Sequence, residues 1–382
     1  MSPVPTPRFG HQEELAVLKV LRRDPPCLSG YYKNPLGGPS VQSFERALAA
    51  YHATKYAVCV SNGTTALHLG LLALGVKPGD EVITTPLTFS ATATSILMCG
   101  ATPVFADVDP DTWLLDPDSV RTRITEKTRV ILPVHLLGVP CDMDELIRIT
   151  EDAQWNIDLL EDNAQSLGAR GWKGRLAGAL CELSATSLQE TKVITSGGEG
   201  GFLLTDSDAL AERLRALRNH GQQYNDAPHL CFNHRMTEIQ AAIGRVQLRK
   251  LDKFNLLQRE AFDLLSRKLP KDYFVPQLSL PFTGPTHYLA GFTVANGFRR
   301  EEYIATLTKL GLNRGIPGSS VGLGYTRTIM DLPLLLPYRS PCPVAEELVQ
   351  RFLWFDCTRW RTRRDTLEIA NTLRDVALEV MA

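Results

Sequence analysis

A chain of 382 residues can bury a large core and still leave a cleft, and its 42 acidic and 41 basic side chains leave no basic excess for a nucleic-acid surface. No apolar run reaches the roughly 20 residues of a membrane-spanning helix, and residues 1–10 lack the apolar stretch of a signal peptide. The eight cysteines stand singly, without the spacing of a metal site or a compact disulfide framework, so a reduced, soluble, cytoplasmic protein with no metal is expected.

In chain order, short apolar runs at 56–60, 81–84, 103–106, 129–134, 157–160, 181–186 and 201–205 predict strands. Helical periodicity at 64–74, 90–99, 143–151 and 208–218 falls between them. This alternation is that of an α/β sheet, whose ligands sit beyond the carboxyl ends of the strands. From residue 236 one long amphipathic helix is expected, with Met236, Ile239, Ile243, Val246, Phe254, Leu257 and Ala261 near one stripe. It would lead from a large domain, 1–250, into a smaller α+β domain, 251–382. Residues 281–285 and 315–324 read as loops of the latter.

Three segments can carry chemistry. Ser61-Asn62-Gly63-Thr64-Thr65 follows a strand and opens a helix, where small residues and unused N–H groups suit a phosphate; an ordinary helix cap fits the same residues. Leu159-Leu160-Glu161-Asp162-Asn163-Ala164-Gln165 ends an apolar strand in acids, one of which could face a cationic ring or merely cap a turn. Lys192 lies in a polar stretch after Ser187, ahead of Gly197, Gly198, Gly200 and Gly201. A lysine so placed can condense with an aldehyde cofactor, and it can equally be a solvated lysine before a glycine-rich hairpin.

These segments stand in one order with Gly37-Gly38-Pro39-Ser40-Val41, Thr88-Phe89, Asp107-Val108-Asp109, Pro133-Val134-His135, Arg218-Asn219-His220-Gly221 and Asn233-x-Arg235-Met236. Over about 37–251 the series resembles the DegT/StrS-type nucleotide-sugar aminotransferases, which are fold-type-I pyridoxal phosphate enzymes. The resemblance implies a mainly parallel seven-stranded sheet between helices, with a smaller C-terminal α+β domain. It implies that Lys192 carries pyridoxal 5'-phosphate as an imine and moves the proton between carbons. Asp162 would pair with the pyridine nitrogen, Gln165 would lie beside the phenolic oxygen, and Phe89 would stack on the ring. Gly63, Thr64 and Ser187 would bind the phosphate, and Asn233 would reach the phosphate of the second subunit of a homodimer. For His135, His220 and Arg235 a structural role is expected.

The implied reaction moves an amino group from glutamate or glutamine to a keto group, foremost on a nucleotide-linked deoxysugar, with a cyclitol ketone as another acceptor. Two alternatives share the fold: a sugar dehydratase, in whose deoxygenating branch the lysine is replaced, and a non-catalytic regulatory homologue. The sequence departs from the family at Leu188, where Phe is usual, and in a loop after Lys192 that is one residue longer. Residues 321–337 lack the usual His- and Pro-rich stretch.

Overall fold

The computed structural model describes residues 9–31, 34–221, 231–312, 321–322, 327–357 and 363–381. Residues 1–8 and most of the loop expected at 315–324 lie outside them, as does part of the departing stretch 321–337. Two helices, α1 (His11–Leu21) and α2 (Pro39–His52), precede the sheet. Pro39 opens α2, where its fixed φ and missing N–H cost the first turn nothing.

The alternating part runs β1 (Tyr56–Val60), α3 (Gly63–Ala73), β2 (Glu81–Thr84), α4 (Ala91–Met98), β3 (Thr102–Phe105), α5 (Pro117–Arg123) and β4 (Thr128–Leu132). It continues through α6 (Met143–Asp152), β5 (Asp158–Asp162), β6 (Leu183–Ser187), β7 (Gly201–Thr205) and α7 (Asp208–Arg218). The strands form one sheet in the order β1-β7-β6-β5-β4-β2-β3. β7 runs antiparallel to both neighbours and the remaining pairs are parallel. Helices cover both faces, which is why β6 and β7 are buried at every position. Polar residues survive there because they are bonded: Ser184 donates to the Gly178 carbonyl at 2.7 Å, and Asn163 Nδ2 donates to Thr186 Oγ1 at 3.1 Å.

The single long helix expected from residue 236 is instead two, α8 (Glu238–Leu248) and α9 (Leu251–Lys268). Between them the bonds tighten to Arg249 N–H on Val246 O (3.2 Å) and Lys250 N–H on Gln247 O (2.9 Å). The break follows from packing: α8 lies on α1 and α2, whereas α9 turns to a second sheet and the C-terminal helix. That sheet is antiparallel, in the order β10-β11-β9-β8, formed by β8 (Phe274–Pro276), β9 (Ala290–Val294), β10 (Val321–Gly322) and β11 (Phe352–Phe355). The helices α10 (Arg300–Lys309), α11 (Pro343–Arg351) and α12 (Arg363–Met381) complete the chain. Phe262, Phe274, Phe292, Tyr303 and Phe355 centre a core of their own there, while Ile329, Met330, Leu348 and Val349 pack into the core of the large sheet.

Candidate active site

Gly63, Thr64, Phe89, Asp162, Gln165, Ser187 and Lys192 all line one cavity of about 880 Å³ at the carboxyl ends of the parallel strands. One end of it is the start of α3, a helix N-terminus of the kind that suits an anion. Asn62 caps the helix by accepting the Thr65 N–H at 2.8 Å, and Gly63 and Thr64 present their N–H groups in the same turn, beside Ser187. The turn is pressed onto the β6–β7 hairpin. A Cβ on Gly63 would stand 2.7 Å from Ser187 Cβ, and one on Gly201 would stand 2.6 Å from the Asn62 carbonyl. Glycine is therefore required at both positions by close approach.

Asp162 is the last residue of β5 and is 3% exposed. Its Oδ2 accepts the Thr92 hydroxyl at 2.9 Å and its Oδ1 accepts the Ala164 N–H at 3.1 Å. Burial raises its pKa, opposed by those two donors and by the charge of Lys192. Glu161, one residue earlier, faces the other side of the sheet and was not singled out by the sequence. It accepts the N–H groups of Gly178 and Leu180 at 2.7 Å and of Cys181 at 2.8 Å, and its Oε2 lies 2.9 Å from His135 Nε2. His135 Nδ1 accepts the Cys141 N–H at 3.1 Å, so Nε2 carries the proton and donates to Glu161. Burial pushes against the Glu161 charge, but His135 and the backbone donors prevail and its pKa is lowered. The structural role expected of His135 is this bond. Arg235 likewise donates to Asn233 Oδ1 (2.7 Å) and Asn219 Oδ1 (3.2 Å).

Gln165 Oε1 accepts the Leu137 N–H at 2.8 Å. The opposite end of its amide is thereby the NH2 group, a donor suited to a phenolate. Phe89 is 67% exposed, an aromatic face left at the cavity wall. The Lys192 amine lies 5.2 Å from the centre of the Tyr288 ring, and burial lowers its pKa to about 8 against the pull of Asp162. The loop that carries it folds on itself, with Leu188 N–H on Gly200 O and Glu190 N–H on Gly198 O, each at 2.8 Å. Two of its glycines have positive φ, 92° at Gly197 and 132° at Gly198. The glycines of this loop are held in tight contact with the protein itself: a Cβ on Gly197 would meet Ile243 at 2.7 Å, and one on Gly200 would meet Ser196 Oγ.

Asn233 does not line this cavity; it is exposed on its own chain. The sequence also missed Thr92, Tyr288, Leu289 and Trp354, which the structure brings to the wall. Thr92 could have been suspected four residues after Thr88. Trp354 reaches the cavity from β11, a placement that no local spacing encodes.

The donor set fits pyridoxal phosphate. A helix start with Thr64 and Ser187 suits the phosphate, a buried carboxylate suits the ring nitrogen, Phe89 suits the ring face, and the Lys192 amine suits the aldehyde. Residues 29–374 match the model of the DegT/DnrJ/EryC1/StrS aminotransferase family. The chain belongs to this family. A GDP-perosamine synthase of Caulobacter vibrioides is 44% identical over 226 residues, 58% of this chain and 60% of that one. The match thus spans less than two thirds of that relative. A 3-amino-5-hydroxybenzoate synthase of Amycolatopsis mediterranei is 35% identical over 84% of both chains. The aminotransferase fold is equally plain in DesV of S. venezuelae, solved in complex with a ketimine intermediate. It superposes with a TM-score of 0.86 at 31% identity, over 96% of this chain and 94% of that one.

Proposed function

We propose that this aminotransferase moves an amino group from glutamate or glutamine to the keto group of a nucleotide-linked deoxysugar, using pyridoxal phosphate bound to Lys192. The observation that carries the reading is the Lys192 amine and the buried Asp162 carboxylate facing one cavity whose far end is a helix start. When bound, the cofactor supplies an electron sink that stabilises a carbanion beside nitrogen. Asp162 keeps the ring nitrogen protonated, Gln165 donates to the phenolic oxygen, and Phe89 covers the ring face. The Lys192 amine, at a pKa of about 8, takes a proton from one carbon and returns it to another.

A homodimer with shared sites belongs to the same proposal. Among the described residues lining the cavity, Lys192 is the only lysine or arginine, too little positive charge for both a phosphate and a donor carboxylate. Asn233, exposed outside its own cavity, is proposed to add a neutral amide donor to the phosphate site of the partner, to which the same chain would also have to bring the missing positive charge. The division near residue 250 is supported by the separate core around β8, β9 and β11, drawn from residues 261–380. No helix among the described residues is long and apolar enough to cross a membrane. A reduced cytoplasmic setting is in keeping with eight free cysteines.

The test adds glutamate or glutamine to the yellow, cofactor-loaded protein and follows the visible spectrum. Nucleotide-linked amino sugars are then assayed in reverse with 2-oxoglutarate. A donor-dependent loss of the yellow band, with turnover of at least one amino sugar, supports the reading. A spectrum unmoved by every amino donor would point to the non-catalytic homologue.

A further inference from the structure

Beside Asp162 two threonines form a chain of hydroxyls. Thr92 Oγ1 lies 2.9 Å from Asp162 Oδ2 and 2.8 Å from Thr88 Oγ1. All three side chains are buried, at 3%, 1% and 2% exposure for Asp162, Thr92 and Thr88. A turn closed by the Thr92 N–H on the Phe89 carbonyl, at 3.1 Å, opens α4 and brings the two hydroxyls together.

A hydroxyl has one proton, and an ionised carboxylate only accepts. Thr92 therefore donates to Asp162 and must accept from Thr88, so the bonds run in one direction. The Ala164 N–H holds the other carboxylate oxygen. The other titratable groups that act on Asp162 are the Lys192 amine, from the β6–β7 loop, and His135, beyond the end of β4. Glu161, the adjacent acid on β5, is engaged by His135 and by the backbone of Gly178, Leu180 and Cys181.

We infer that Thr92, oriented by Thr88, is a positioning residue that keeps the Asp162 carboxylate ionised and turned toward the cavity. The purpose of that ionised state rests on the pairing of Asp162 with a cofactor ring nitrogen proposed above. The hydroxyl chain itself needs no cofactor. Burial disfavours charge on Asp162, so each donor decides how much of it survives. Thr92→Val removes the donor from Asp162 and the acceptor from Thr88 with little change in volume. Thr92→Ser keeps both.

The experiment titrates Asp162 in the cofactor-free protein by infrared difference spectroscopy, with its protonated carboxyl band assigned by its loss in Asp162→Asn. Thr92→Val should raise the midpoint by about one to two pH units, the shift that loss of one charge-assisted hydrogen bond produces. Thr88→Val, one bond farther away, should raise it less, and Thr92→Ser should restore it. A midpoint unmoved by Thr92→Val, or not restored by Thr92→Ser, overturns the inference. If Thr92→Val fails to fold, Thr88→Val carries the test, and an unshifted midpoint there overturns the relay. Should the titrations follow this pattern while Asp162→Asn turns over normally, the relay stands and the ring pairing falls.

Discussion

At the scale of the residue, Glu161 and Asp162 show how a strand sorts neighbouring acids. Alternation sends one carboxylate to each side of β5. Glu161 meets His135 and three backbone donors and fastens the 178–181 loop; Asp162 meets the cavity. The two should fail differently. Asp162→Asn should fold normally and slow turnover about ten- to hundredfold, the equivalent of a charge-assisted bond of about 1.5–3 kcal/mol. Glu161→Gln should instead lower the melting temperature, because an amide cannot serve the same set of donors. Normal turnover in Asp162→Asn, or an unchanged melting temperature in Glu161→Gln, would refute the respective role. Lys192 adds a pH dependence. Only the neutral amine attacks an aldehyde, and a pKa lowered to about 8 makes that form dominant above pH 8. Capture of added pyridoxal phosphate by the cofactor-free protein should therefore accelerate with rising pH and level off above a midpoint near 8. A midpoint near that of ordinary lysine would show that burial does not tune this amine.

At the scale of the element, the large sheet was legible because its strands are apolar runs set between polar loops. Those expected at 56–60, 81–84 and 201–205 have those bounds, and the other four lie within two residues. The sequence was silent where tertiary contact decides. The stripe from Met236 to Ala261 reads as one helix, but its two halves face different partners, and nothing local marks the turn at Arg249–Lys250. Lys192, Asp162 and Gln165 lie in segments near strand ends whose assignment rested on the resemblance of the whole series; Trp354 comes from β11 and Tyr288 from the segment entering β9, parts of the chain with no comparable signature. The α3–β6 junction offers a direct test. Gly63→Ala places a methyl 2.7 Å from Ser187 Cβ, so the helix start must move, at about 1–3 kcal/mol of overpacking. Cofactor affinity should fall about ten- to hundredfold, measured by fluorescence titration. Unchanged affinity would mean that this turn does not hold the phosphate.

At the scale of the whole molecule, one chain supplies the lysine, the acid and the helix start, yet leaves Asn233 outside its own cavity. Mixed dimers test the proposed sharing. When a Lys192→Ala chain pairs with an Asn233→Ala chain, the surviving lysine sits in the Asn233→Ala subunit and receives Asn233 from the other. That one site should bind cofactor normally and give half the activity of the native dimer; weakened cofactor binding would place Asn233 in its own subunit's site. The proposed chemistry depends above all on Lys192 as the residue that bears the cofactor. Borohydride reduction of the loaded protein, followed by digestion and mass spectrometry, reads this directly. The reduced pyridoxyl group is predicted on the peptide containing Lys192, and recovery of it on any other lysine would contradict the account.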